Sequence, residues 1–204
     1  MSKEREYRNM TFKVRQDGDE PSFLVEGYAS TFERYRLLTI DDVDYYEQIE
    51  PTAFDGADLS DVVYRVDHQG RVYARSSAGT VRLNIDNHGL HQETDLSRTK
   101  AGQEHFEEIR AGNYPQMSFA FSVAEDHYDE DTHTRIIDRV DKVFDISAVS
   151  FPANPGTELH VRSYFDGVIE AAKAAEAERL QAEEERRRDL ERREEIRKMI
   201  EEVL

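Results

Sequence analysis

Three segments of the sequence carry side chains that could together perform nucleophilic catalysis. They are YRVDHQG around His68, NYPQMSFAFSV around Ser118 and KVFDISAVSFPANPG around Asp145. A serine hydroxyl is a poor nucleophile until an imidazole takes its proton. A carboxylate can then hold the imidazole in the correct tautomer and stabilise the imidazolium. Each segment alone is typical of ordinary structure, but together they provide the nucleophile, base and orienting acid that serine hydrolysis needs.

Several other reaction chemistries lack a matching pattern. The chain has no cysteine, which excludes disulfides, thiolate zinc sites and cysteine nucleophiles. No glycine begins a Gly-x-Ser element, and neither a phosphate loop nor a dinucleotide fingerprint is present. The pairs His88–His91 and His127–His133 lack the neighbours typical of a metal site, so we expect loop histidines there. We therefore expect no cofactor and no metal.

The composition limits the partners. The chain has 204 residues and a formal charge of -17, from 44 acidic against 27 basic residues. Like-charge repulsion makes nucleic acid and anionic membranes poor partners. No apolar run approaches the roughly 20 residues that span a bilayer, and the polar start MSKEREYRN is not a secretory signal. A cytoplasmic location is expected.

The composition also divides the chain into two parts, a body over residues 1–163 and a charged tail over residues 164–204. The body holds nearly all of the ten Phe and ten Tyr residues, whereas the tail is rich in Ala, Glu, Arg and Leu, which favour helix. A long exposed helix with charge pairs at i,i+4 is predicted for the tail. A continuous apolar stripe occurs only at its end, in Ile196, Met199, Ile200, Val203 and Leu204. A solvated helix and a docking helix both remain open.

The body is predicted to be mainly β with helices, in the α+β class. Alternating patterns predict short strands at 11–15, 22–30, 62–68, 80–86, 117–123 and 143–151. One helix is predicted over Lys100–Arg110, with Gly112 as its stop. Many short strands with one interposed helix favour an antiparallel barrel or sandwich. His68 falls at the end of its strand, on the face of Tyr64 and Val66.

The strand around Ser118 has one apolar face and one small, polar face. The apolar face, predicted to lie in the core, consists of Met117, Phe119, Phe121 and Val123. Ser118, Ala120 and Ser122 share the other face, which suits the open floor of an active site. Ser122 is therefore an alternative nucleophile. Residues i and i+2 are about 7 Å apart along a strand, and Ser118 and Ser122 are twice as many positions apart, so they cannot both meet one imidazole.

The order of several motifs resembles that of the prohead serine proteases of tailed bacteriophages, the Hong Kong ninety-seven-type capsid maturation proteases. The motifs are EGYASTF, IEPTAF, DHQG, AGT, HGL, MSFAF and FDISAVSFPANP, between about Phe23 and Val161. MSFAF and DISAVSFPANP are the most specific of them. These proteases are related in fold to the herpesvirus assembly proteases. The resemblance therefore implies a barrel-like protease domain of that type over residues 1–163, followed by the tail helix.

The resemblance also implies a role for each candidate site residue. Ser118 in MSFAF corresponds to the family nucleophile, which favours it over Ser122. His68 corresponds to the catalytic histidine, although the family usually has Asp where this chain has Gln69. Asp145 stands where the family often has Glu. The herpesvirus relatives use a second histidine in this third role, so His88 is an alternative to Asp145.

The function implied by the resemblance is a serine endopeptidase of capsid maturation. Such an enzyme processes the precursor of the major capsid protein or its scaffolding segment inside the prohead, in the host cytoplasm, and often cleaves itself. The herpesvirus relatives also make a homodimer an expectation to test. A catalytically inactive assembly or scaffolding protein that keeps the protease fold is the main alternative. A serine hydrolase with an unrelated substrate is the third.

Overall fold

The computed structural model describes residues 5–10, 12–14, 23–150 and 155–203. The strands are β1 (Glu6–Met10), β2 (Phe12–Val14), β3 (Leu24–Thr31), β4 (Tyr35–Ile40), β5 (Val43–Ile49), β6 (Val63–Val66), β7 (Gln69–Arg75), β8 (Val81–Ile85), β9 (Gly89–Asp95), β10 (Gln116–Asp129) and β11 (Thr134–Val149). The helices are α1 (Lys100–Arg110) and α2 (Pro155–Val203), with a 3₁₀ turn at Ser76–Ala78. The mainly β, α+β class predicted from the sequence is confirmed.

The described strands form two sheets. One has seven strands, in the order β1-β10-β11-β5-β4, with β6 joined to β11 and β7 joined to β6. The other has the order β2-β3-β9-β8. No closed barrel is seen among the described strands, and the pairing is not wholly antiparallel. The long strand β11 explains this mixture, because β5 and β6 both pair with it in parallel, at its beginning and near its end.

The two sheets and α1 share one hydrophobic core. Members come from the four-stranded sheet, the seven-stranded sheet and α1, and they include Val25, Leu90, Met117, Phe119, Phe121, Ile146, Phe106 and Ile109. The predicted apolar face of the strand around Ser118 thus packs into the core. Side chains that alternate with these along β10 and β11 point to the opposite face of the seven-stranded sheet.

Helix α1 spans Lys100–Arg110, which confirms the predicted bounds. It begins where Thr99 accepts a hydrogen bond from the Gly102 amide through its side chain. It ends in a pair of hydrogen bonds, from the Gly112 amide to Ile109 and from the Asn113 amide to Glu108. Gly112 has φ of +86°, the left-handed conformation that this helix ending requires and glycine adopts at little cost. Local signals sufficed for this element.

A buried group of charged side chains joins β1 to β5 and β11. Arg8 donates to Glu47 on β5 at 2.5 Å, and the side chains of both residues are at most 3 % exposed. Arg135 on β11 donates to Glu6 at 2.6 and 2.9 Å and to Glu47 at 3.3 Å. Tyr35 also donates to Glu47. Each buried charge thus has a partner of opposite sign, which offsets the cost of its desolvation.

The tail forms one helix, α2, which begins at Pro155, before the residue 164 expected from composition. The chain separates into two compact units, residues 1–159 and 160–204. Within the second unit, an Arg188–Glu184 pair at 2.6 Å is one of the i,i+4 contacts typical of an exposed charged helix. The side chains of the apolar stripe at the end of the tail lie outside the described residues.

Candidate active site

His68 lies in a two-residue turn between β6 and β7. Val66 pairs with Gln69 across this turn, and Asp67 and His68 have φ of 45° and 58°. Two successive left-handed residues define the tight hairpin turn that matches the twist of antiparallel strands. The predicted strand over 62–68 was therefore too long, since β6 ends at Val66. Asp and His tolerate this conformation better than most residues.

The turn is fastened to the end of β11. The Asp67 amide donates to the Ala148 carbonyl at 3.0 Å. The amide and hydroxyl of Ser150 donate to the Asp67 carboxylate at 2.9 to 3.1 Å. The His68 amide donates to the Ser147 hydroxyl at 3.2 Å. These contacts fix the backbone from which the His68 ring projects.

Three neighbouring strands bring the candidate residues together. Strand β11 lies between β10 and β6, with Ser118 opposite Ser147 on one side and Val63 beside Asp145 on the other. Because directly paired residues point to the same face of a sheet, Ser118, Ser147 and Asp145 share the face opposite the core. The β6–β7 turn then places His68 at this face.

The three predicted residues form one hydrogen-bonded chain. Nδ1 of His68 lies 2.6 Å from Oδ1 of Asp145, and Nε2 of His68 lies 2.8 Å from Oγ of Ser118. A carboxylate can only accept, so Nδ1 carries the proton and donates it to Asp145. Nε2 is then the acceptor for the Ser118 hydroxyl. This geometry allows proton transfer from the hydroxyl to the imidazole.

The site is more enclosed than the sequence predicts. Ser118 is 1 % exposed, and the side chains of His68 and Asp145 are 8 % and 3 % exposed. The expectation of an open floor was therefore wrong. The Tyr7 ring on β1 lies against the His68 ring, edge to face, with 4.4 Å between their centroids. Burial strengthens the hydrogen bonds of the chain, because water competes for them less.

The two alternative site residues lie elsewhere. Ser122 donates to the Asp141 carboxylate at 3.4 Å, and a shift in the β10–β11 register, between Ala120 and Phe121, separates it from Ser118. His88 lies in the turn between β8 and β9 of the four-stranded sheet, with its ring centroid 4.4 Å from that of Tyr28. Ser118 and Asp145, rather than these alternatives, thus lie within hydrogen-bond distance of the two ring nitrogens of His68.

The remaining candidate histidines have protein partners. His91 also contacts the Tyr28 ring, with 5.1 Å between the centroids. Nδ1 of His127 lies 2.7 Å from the Asp138 carboxylate. The Tyr128 hydroxyl lies 3.0 Å from Nδ1 of His133. Among the described residues, no group of three or more His, Asp or Glu side chains could hold a metal ion.

The sequence analysis missed several residues that surround the Ser118–His68–Asp145 hydrogen bonds. Ser147 could have been found, because it follows Asp145 by two positions and so shares its strand face. Tyr7 and Ser150 gave no local signal, since their contacts depend on which strands pair. Arg65 was also missed, and its guanidinium donates to the His68 carbonyl at 3.2 Å.

The body is mainly β, and its hydrogen-bonded Ser, His and Asp residues are those of a serine hydrolase site. The chain belongs to the caudovirus prohead serine protease family, because the sequence model of that family matches residues 10–168. No curated protein and no solved structure matches the chain. Family membership implies serine peptidase activity and supports a role in capsid maturation. Within the described residues, no helix is long and apolar enough to cross a bilayer.

Proposed function

We propose that this protein is a serine endopeptidase that processes capsid precursors during prohead maturation, with Ser118 as nucleophile, His68 as general base and Asp145 as the orienting acid. One observation carries the proposal. In a chain of the prohead protease family, the two nitrogens of one imidazole lie within 2.8 Å of a serine hydroxyl and a carboxylate. The same three residues are those that the family motifs select.

The reaction proceeds by acyl transfer to Ser118. Its oxygen attacks the carbonyl carbon of the peptide bond while its proton passes to Nε2 of His68. The tetrahedral intermediate then expels the amine, which takes the proton from Nε2, and an ester with Ser118 remains. Water attacks the ester, gives a proton to Nε2 and releases the carboxylic acid as that proton returns to Ser118. Asp145 stabilises the imidazolium in both halves.

The proposed substrate is the precursor of the major capsid protein, or its scaffolding segment, with self-cleavage as a further reaction. Enclosure in the prohead is part of this proposal, and it would provide the high local concentration that drives cleavage, whereas dilution in the host cytoplasm would restrain it. A formal charge of -17 suits a protein without a nucleic acid partner. We also propose that the fold is related to that of the herpesvirus assembly proteases. By the same relation, the protein is proposed to form a homodimer.

Labelling with a fluorophosphonate probe tests the activity. The wild-type protein is expected to attach one probe to Ser118, mapped by mass spectrometry, and His68→Ala should remove the labelling while the protein stays folded. The Ser122→Ala variant serves as the matched control, since it removes another buried hydroxyl from the same strand. A folded wild-type protein that takes up no probe would favour the inactive assembly protein instead.

Helix α2 is proposed to dock on the helical pro-segment of the shell protein. Its charged, exposed surface and its apolar end suit a docking or scaffold-like helix. Deletion of residues 166–204 should spare fluorophosphonate labelling but lower the amount of protein incorporated into procapsids. Equal incorporation of the full-length and deleted chains would contradict the docking role without affecting the proposed activity.

A further inference from the structure

Ser147 occupies the junction between the His68 turn and the Asp145 carboxylate. Its hydroxyl accepts a hydrogen bond from the His68 amide at 3.2 Å and donates one to Oδ1 of Asp145 at 2.8 Å. The same Oδ1 lies 2.6 Å from Nδ1 of His68. One hydroxyl therefore contacts both the backbone of the base and the side chain of the orienting acid.

We infer that Ser147 is a positioning residue of this active site. It holds the imidazole of His68 and the carboxylate of Asp145 in the relative position that their hydrogen bond requires. The inference rests on the proposed function, since it assigns no reaction step to Ser147 itself. Ser147 acts through His68 and Asp145, because Nε2 of His68 meets Ser118 rather than Ser147.

Burial makes the Ser147 contacts difficult to replace. Ser147 is 0 % exposed and Asp145 is 2 % exposed. Water cannot readily take the place of a lost hydroxyl in such a setting, so the carboxylate would lose one of its two donors at Oδ1. Without that donor, the Asp145 carboxylate can rotate about its Cβ–Cγ bond. Its hydrogen bond with the Nδ1 proton of His68 then changes geometry.

The second contact of Ser147, with the His68 amide, helps to hold the turn between β6 and β7. Asp67 and His68 both adopt left-handed backbone conformations, which most side chains disfavour. Such a conformation persists only where the surrounding structure holds it. The bond from the His68 amide to Ser147 is one such constraint, and it lies on the residue whose ring must reach Ser118. A small rotation at this point moves Nε2 at the far side of the ring.

Substitution of Ser147 tests the inference by the rate of fluorophosphonate labelling of the full-length chain. Ser147→Ala should label about 10- to 100-fold more slowly than wild type, the range expected for one hydrogen bond to a charged group. Ser147→Cys has the same branching with a slightly larger atom and donates only weakly, so its labelling should be slowed as well, and it serves if the alanine variant does not fold. Ser122→Ala, a buried serine that donates to Asp141, should label at the wild-type rate.

A double-mutant cycle separates positioning from a general structural role. In an Asp145→Asn background, Ser147→Ala should slow labelling by less than about 3-fold, because residues that act as one unit are not additive. An equal loss in both backgrounds, or wild-type labelling by both Ser147 variants, would overturn the inference.

Amide hydrogen exchange at His68 gives a readout independent of activity. This exchange should be slow in the wild-type protein and faster in Ser147→Ala, whether or not the protein labels with the probe. Unchanged exchange at His68 would overturn the inference, whereas a wild-type protein without labelling would overturn only the proposed function.

Discussion

The Ser118 hydroxyl is the proposed reacting group in this site, and its contacts differ from those of the neighbouring serine. Ser118 lies 2.8 Å from Nε2 of His68, whereas Ser122 contacts Asp141. We expect Ser118→Ala and His68→Ala each to lower peptide cleavage by about four orders of magnitude or more, as in other serine triads. Ser122→Ala should cleave at the wild-type rate. Loss of cleavage in Ser122→Ala but not in Ser118→Ala would reverse the assignment.

The Asp145 carboxylate lies at the other nitrogen of the ring, where we propose that it orients the imidazole. In Asp145→Asn, the amide NH₂ can donate to Nδ1 and stabilise the tautomer whose proton lies on Nε2, which cannot accept the Ser118 proton. A loss of about four orders of magnitude is typical of this change in a triad, with cleavage still above background. The rate of peptide hydrolysis measures it. Wild-type rates in Asp145→Asn would show that Asp145 does not hold the third role.

The hairpin turn between β6 and β7 places His68, the proposed base, so the stability of this turn matters beyond one side chain. Asp67→Ala removes the acceptor of both Ser150 hydrogen bonds and puts alanine at φ of 45°. We expect a loss of about 1–2 kcal/mol in the free energy of unfolding, since an ordinary residue pays that cost in the left-handed region. Asp67→Asn keeps an acceptor and tolerates the conformation. Chemical denaturation compares the two variants, and equal stability would show that the turn does not depend on Asp67.

Strand β1 places Tyr7 against His68, while its neighbours Glu6 and Arg8 point to the opposite face. The variant Tyr7→Ala therefore exposes the imidazole without removing the buried charges. We expect faster fluorophosphonate labelling in Tyr7→Ala and an unchanged rate in Tyr7→Phe, which keeps the ring. Slower labelling in Tyr7→Ala would show instead that the ring orients His68 more than it covers it.

At the scale of the whole molecule, the buried charges link β1, β5 and β11, and we expect them to make the stability sensitive to acid. Burial by itself would raise the pKa of Glu6. The hydrogen bonds from Arg135 and the charges of Arg8 and Arg135 outweigh burial and lower this pKa to about 2 from 4.5. The folded protein therefore holds Glu6 ionised more strongly than the unfolded chain does. This contribution is fully present above about pH 4.5 and is lost as the pH falls toward 2.

We expect the free energy of unfolding to decrease between about pH 4.5 and pH 2, with Glu6 contributing on the order of 3 kcal/mol of that change. Urea denaturation across this range measures it. Glu6→Gln should be less stable than wild type at pH 7, and the difference should shrink in acid, because glutamine does not titrate. A constant difference at all pH values would show that the ionisation of Glu6 is not coupled to folding.

Local patterns were sufficient for several elements and for the identity of the candidate residues. The cap at Thr99 and the stop at Gly112 define α1, because both act within one helical turn. The alternation around Ser118 correctly separated the core side chains from the polar face. The family resemblance selected Ser118, His68 and Asp145 through motifs that are each continuous in sequence. Their catalytic roles stay predictions until the variants are measured.

What the sequence determined by itself was therefore the composition of the site, the mainly β class and the bounds of α1, since these depend on residues close together along the chain. The tertiary structure alone decided that β11 pairs in parallel with β5 and β6, that His68 lies in a turn, and that Tyr7 and Ser150 lie around the site. Those features depend on contacts between residues far apart in sequence. Such contacts are decided by the competition among all possible strand pairings, which no local pattern records.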